Sequence, residues 1–173
     1  SGPSDHAVVQ PWTPITSAPV LTEFTAGLRT TERRGASPGT ALGEAMILGA
    51  DFLALQPDCW KQTLDISGDG KSNLGARPRD VKPDLQPQNL TINALVIGAD
   101  APQIGDARQT EIAELSAYFS AEVILGTDAF VETALGFENY ADAMQRKLER
   151  ELEVLMLTRA GVNALTTPPP SLR

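Results

Sequence analysis

A chain of 173 residues, 42% of them hydrophobic, can fill the core of one domain of ordinary size, which argues against a disordered tail or a two-domain protein. With 14 Lys and Arg against 22 Asp and Glu, the net charge is −8 and the pI is near 4.6, so no general basic surface offers a grip on nucleic acid or anionic lipid. Five Phe, two Trp and two Tyr are too few for base-stacking platforms, a single cysteine cannot cross-link the chain to itself, and no apolar run reaches the roughly 18 residues of a membrane span.

Ala7 to Ile15 is rich in β-branched residues but carries Pro11 and Pro14, which cannot donate to a ladder, and so reads as an edge strand. Thr22 to Thr30 forms a short helix with Leu21, Phe24 and Leu28 at helical spacing, and Arg33 to Thr40 is a loop by its Gly, Ser and Pro content. From Ala41 to about Leu55, the spacing of Leu42, Ala45, Met46, Gly49 and Leu53 marks a helix with one buried face, which Pro57 stops. A short strand from Lys61 to Ile66 runs into the polar, glycine-rich turn Ser67 to Asn73. Asn89 to Gly98 is nearly continuous in apolar character, as expected of a parallel strand covered on both faces. Between these strands, Pro78, Pro83 and Pro87 leave room for no more than a broken helical turn.

Gln109 to Phe119 reads as a helix and Ala121 to Leu125 as a short strand; a turn follows, then the segment Ala129 to Thr133. The longest helix is expected from 138 to about 158, with Tyr140, Met144, Leu148, Leu152, Leu155 and Met156 on its buried face and Arg146, Lys147, Glu149, Arg150 and Glu153 mostly elsewhere. Past Gly161 the Pro-rich tail is an extended appendage, giving a domain over residues 1–160 and an extension over 161–173. Alternating strands and helices mean an α/β layered domain with a mostly parallel sheet.

The richest chemistry lies in Asp65-Ile-Ser-Gly-Asp-Gly-Lys-Ser-Asn73, which puts a carboxylate, hydroxyls and flexible backbone at the C-terminal end of a strand, where open α/β sheets bind ligands. A phosphate loop would need glycine where Asp65 stands, and a calcium loop would need a bidentate Glu where Ala76 stands. The third reading is a divalent-cation site in which Asp69 joins oxygen ligands from other loops, a hard donor set suited to Mg²⁺. Two plainer roles stand beside it: Thr40 as a helix N-cap and Asp69 as a turn former. Lys71, Ser72 and Asn73 read as solvent-exposed rim residues, Cys59 as a small buried hydrophobe, and Trp12 and Trp60 as packing residues. His6, alone in a polar turn, has no metal or general-base role, and no Ser/His/acid arrangement or activated cysteine supports catalysis, so the chain reads as a non-enzyme.

Ser37-Pro-Gly-Thr40-Ala-Leu-Gly heading a helix, followed by Leu-Asp-Ile-Ser-Gly-Asp69-Gly-Lys-Ser-Asn, resembles the second and third metal-site motifs of a von Willebrand factor type A domain. More narrowly, Val9 to Ile15, Asp65 to Asn73, Thr91-Ile-Asn93, Ala129-Phe-Val131 and Gln145 to Leu152 resemble an uncharacterised bacterial family of that superfamily, over roughly residues 1 to 155. The resemblance implies a Rossmann-like, doubly wound, mostly parallel sheet flanked by helices, with a metal-ion-dependent adhesion site at its top. Carried over, Thr40 is the hydroxyl ligand and Asp69 the carboxylate of a site for Mg²⁺, Ca²⁺ or Mn²⁺, with Ser37, Gly70, Lys71, Ser72 and Asn73 on the partner-facing rim. The first motif of such sites, Asp-x-Ser-x-Ser, does not occur in the sequence, and the match begins at what would be the third strand. The expectation is therefore a sheet lacking its first two strands in this chain, as a fragment, a processed piece, or a chain completed by another polypeptide. Relatives of that kind look like proteins with secretion leaders, so the resemblance implies a periplasmic or secreted setting; they also resemble a pattern with a partner for Cys59 near the position of Glu122, from which this sequence departs.

Two functions follow as expectations. The first is a protein-protein interaction module whose top face around Thr40 and Asp69 meets a partner through the metal. The second is a metal-free structural or accessory subunit of a larger assembly, with the Pro-rich tail laid across a neighbour. An enzyme using the Gly-Asp-Gly-Lys-Ser loop on a phosphate ligand is an outlying third. No nucleic acid, and no membrane span, enters any of them.

Overall fold

A computed structural model of the chain describes residues 5–32, 35, 38–86, 90–98 and 106–166. Its elements, in chain order, are α1 (Ala18–Arg29), α2 (Leu42–Ala54), β1 (Gln62–Gly68), α3 (Pro78–Leu85), β2 (Leu90–Ile97), α4 (Asp106–Tyr118), β3 (Val131–Ala134) and α5 (Tyr140–Thr166), with a π turn at Phe119–Val123 and a 3₁₀ turn at Phe137–Asn139. The three strands form one parallel sheet in the order β1-β2-β3. Asp65 lies opposite Asn93 and Ala94 opposite Val131. The mixed α/β architecture with a parallel sheet flanked by helices, consistent with a Rossmann-like fold, is as the order of elements predicts.

β2 is central because its sequence, Leu-Thr-Ile-Asn-Ala-Leu-Val-Ile, can be covered on both faces, and seven of its eight residues are buried. On one face, Ile92, Ala94 and Val96 join Ile66 of β1 under Leu42, Met46, Ala50 and Leu53 of α2 and Val81 and Leu85 of α3. Leu115 of α4 and Phe119 and Val123 of the π turn complete that cluster, and Phe119, Val123, Ile92 and Met46 have no exposure at all. Each such side chain contributes about 1.5–3 kcal/mol by leaving water. On the other face the apolar cluster is small: Leu95 of β2, Ala134 of β3 and Ala143 of α5, with Tyr140 and Met144 packed against it.

Several elements differ from the sequence-based expectations, each for a physical reason. Ala7 to Ile15 makes no strand; it runs without regular structure, and Val8, Val9, Trp12 and Ile15 are exposed. The proline-rich crossover holds a true helix, α3, because Pro78 sits at its first turn, where no amide bond is lost, and because Val81 and Leu85 gain burial that outweighs the one bond missing at Pro83. The strand expected at Ala121–Leu125 is instead the π turn, whose wide loop delivers both Phe119 and Val123 into the core; only Leu125 pairs, in an antiparallel bridge to Ile92. α5 continues past Gly161 to Thr166, and the Pro-rich run after it lies outside the described residues. Trp12, Cys59 and Trp60 are exposed rather than packed.

The largest correction concerns the face α5 turns inward. The expected apolar stripe would bury Leu148 and Leu152, yet these are 46% and 60% exposed, while Lys147, expected on the solvent side, is 0% exposed. The helix is rotated because the sheet beneath residues 147–151 is polar: it offers Asp65 and Asn93, and a charged group answers them better than leucine.

Candidate functional site

The loop leaving β1 is fastened to the start of α2 by a set of hydrogen bonds that cross 30 or more residues of sequence. The Thr40 amide donates to Asn73 Oδ1 at 2.8 Å, and the amides of Asn73 and Leu74 donate back to the Thr40 carbonyl at 2.9 and 3.2 Å. The Ser72 hydroxyl accepts from the Leu42 amide at 3.2 Å and donates to the Thr40 carbonyl at 3.3 Å, while the Ser72 amide donates to the Tyr118 hydroxyl at 3.3 Å. Further along, the Ala76 amide donates to Glu44 Oε1 at 3.1 Å. Two glycines make this docking feasible. Gly75 takes the left-handed conformation (φ 67°) beside the Glu44 side chain, and Gly43 of α2 lies so close to the loop that a methyl group there would run into the Ala76 carbonyl.

This fastening brings Thr40 and Asp69 to the wall of one cleft of about 610 Å³, with Ser67, Glu44 and Asp51 also lining it. Thr40 is half-buried and Asp69 exposed, and the Thr40 hydroxyl lies on the side of Gly70, within 3.5 Å of where a Cβ would stand. Thr40 does not cap α2 with its side chain: the N-cap position is Ala41, and Ser72 serves the helix start from across the loop. Of the expected rim residues, Lys71 is exposed and forms a loose ion pair with Glu114 at 3.9 Å. Ser72 and Asn73 are not simple rim groups, since both side chains hold α2 in place; Ser72 is half-buried. Gly70 is half-buried between them and Asp69, and Ser37 lies outside the described residues.

The donors lining the cleft are the Thr40 and Ser67 hydroxyls, the carboxylates of Asp5, Glu44, Asp51 and Asp69, and the imidazole of His6, so a mostly hard oxygen set is joined by one nitrogen ligand type. Among the described residues no three His, Cys, Asp or Glu side chains stand close enough together to hold a metal. Thr40 and Asp69 supply two oxygen donors on the cleft wall, and a metal there would need further donors from water or from outside the described residues.

A second constellation, which sequence reasoning missed, lies under α5. The Lys147 ammonium is buried between Asp65 of β1, with which it forms a very close ion pair, and Glu151 one turn along its own helix at 2.7 Å. Asn93 donates to Glu151 Oε1 at 2.8 Å and accepts from the Phe130 amide at 3.2 Å, so this buried amide is satisfied on both sides. Arg150 lies 3.8 Å over the Phe130 ring. Burial pushes the Asp65 carboxyl up from 3.8 to about 6; Lys147 opposes the rise and Glu151 adds to it. The signals were an Asp inside the apolar strand Leu64-Asp-Ile66 and a Lys and Glu four apart on the helix. Beside the cluster, Lys61, Thr63, Asp128 and Leu148 help line a cavity of about 240 Å³.

No helix among the described residues is long and apolar enough to cross a membrane. No curated protein and no solved structure matches the chain at a significant level. One family model does match, over residues 1–156, and its description is "Protein of unknown function (DUF1194)". The match covers both the fastened loop and the buried Lys147 cluster, and the chain belongs to this family.

Proposed function

We propose that the chain is a protein-binding module, resembling a von Willebrand factor type A domain, whose contact face is the end of the sheet around Thr40 and Asp69. The observation that carries the reading is the fastening of the β1 loop to α2 through Thr40, Ser72 and Asn73, which holds Thr40 and Asp69 on one open cleft between α2 and the C-terminal end of β1. Such pre-organisation lowers the entropy lost when a partner binds. Mg²⁺, or Ca²⁺ or Mn²⁺, is the proposed bridging ion, taken by Asp69 and the Thr40 hydroxyl, and a carboxylate of the partner would complete its oxygen shell. Gly70 and Lys71 belong to the proposed contact rim, as does Ser37. The setting is periplasmic or secreted, and no catalytic step is assigned to the chain.

Calorimetric titration of Mg²⁺ into the protein tests this, with Asp69→Ala as the control. The reading expects saturable binding that the substitution abolishes; equal heats from both proteins would remove the metal from the account.

The alternative is a metal-free accessory subunit of a larger assembly. It draws support from the outer edge of β1, which pairs with no strand among the described residues, and from the segment before α2, where α1 buries no residue and Val8, Val9, Trp12, Ile15, Leu21 and Leu28 are exposed. A polypeptide that adds a strand along β1 and covers these side chains would complete the sheet on this reading.

A further inference from the structure

The opening turn of α5 is held on the sheet by apolar contacts: Tyr140, Ala143 and Met144 against Leu95 and Ala134. One turn further on, the attachment changes character. Lys147 and Glu151 reach the polar part of the sheet, and the single ammonium there is shared by two carboxylates, one from β1 and one from α5 itself. The other charged groups around Asp65 are Lys61 at the start of β1 and Asp128 before β3, both lining the adjoining cavity, and Arg150 on α5, which is stacked on Phe130. Arg146 on α5 is engaged with Glu132 of β3 at 2.9 Å. Two carboxylates on one buried ammonium make a site that gains by taking up a proton, whereas the same carboxylates in water, with α5 lifted away, have no such need.

We infer that the Asp65–Lys147–Glu151 cluster is a proton-controlled latch, which holds α5 on the sheet more firmly in mildly acidic than in neutral solution. The direction follows from linkage. Asp65 in the latched state takes up its proton near pH 6, against 3.8 for an ordinary aspartate, so the latched state binds more protons between those values. Lowering the pH through 6 therefore favours it, and raising the pH above 6 removes the advantage. From pH 7.5 to pH 5 the gain is at most about tenfold, and about threefold after allowing for screening by water at a side chain that is 37% exposed.

Two measurements on the full chain test the latch. The first is the carboxyl ¹³C titration of Asp65, expected to have its midpoint near 6 in the wild type and lower in Glu151→Gln, which loses the competing carboxylate. A midpoint near 3.8 in the wild type, or one unmoved by Glu151→Gln, overturns the inference. The second is amide hydrogen exchange over residues 140–153 at pH 5 and 7.5, corrected for intrinsic rates. Wild-type protection is expected to be about three- to tenfold higher at pH 5, with no such difference in Asp65→Asn. Equal pH dependence in both proteins, or none in the wild type, overturns it, and because the first measurement reads the wild type directly, a misfolded Asp65→Asn does not shield the inference.

Discussion

The two faces of the sheet are covered by different chemistry. Toward α2, α3 and the π turn the contact is almost wholly apolar, with Met46, Ile92, Val96, Phe119 and Val123 sealed from water. Toward α5 the apolar contact shrinks to Leu95, Ala134 and Ala143 with their neighbours, and the rest is a charged cluster around Lys147. The first face supplies stability that pH and salt hardly touch. The second is attached through groups that titrate and that cost free energy whenever one partner is lost. The charged cluster lies beside Lys61 and Asp128, toward the N-terminal ends of the strands, whereas the loop carrying Asp69 leaves their opposite ends between α2 and α4.

Breaking each face in turn sharpens the contrast. Phe119→Ala empties the space between Gly68 and the α2 layer and is expected to cost about 3–5 kcal/mol in urea unfolding, with little dependence on pH. Lys147→Ala is expected to cost about 3 kcal/mol at neutral pH, because it leaves Asp65 and Glu151 facing each other without a counter-charge. Adding Asp65→Asn to that variant should restore part of the loss, a coupling that a double-mutant cycle measures directly. Simple additivity of the two substitutions would mean that the cluster is not acting as a unit. A smaller effect belongs to the strand ends themselves: Ser72→Ala removes the group that serves the start of α2 and is expected to cost about 1 kcal/mol while loosening the loop that carries Asp69.

Local rules made one face legible in the sequence and failed on the other. The continuous apolar run of β2, the helical spacing of α2 and the turn at Ser67 to Asn73 announce the parallel sheet, its apolar wall and the loop at its end, because each feature is set by neighbours in the chain. The orientation of α5 was not legible from its own stripe of leucines. Two polar side chains on other strands, Asp65 and Asn93, decide it, and these become visible only once the strands are in register. Helix capping failed in the same way: Thr40 stands where an N-cap is expected, but Ser72, distant in sequence, performs the task. The π turn shows the converse limit, since the β-like run Ala121 to Leu125 is overridden by the burial of Phe119 and Val123.

The proposed contact face is tested most directly by amide ¹H–¹⁵N spectra of the protein recorded with increasing Mg²⁺. The account predicts saturable shifts confined to Thr40, Ala41 and the run Ser67 to Asn73, with the α5 amides unmoved. Spectra that do not change, or changes spread over the acidic surface without saturation, would contradict a metal site at Thr40 and Asp69 and leave the metal-free reading in its place.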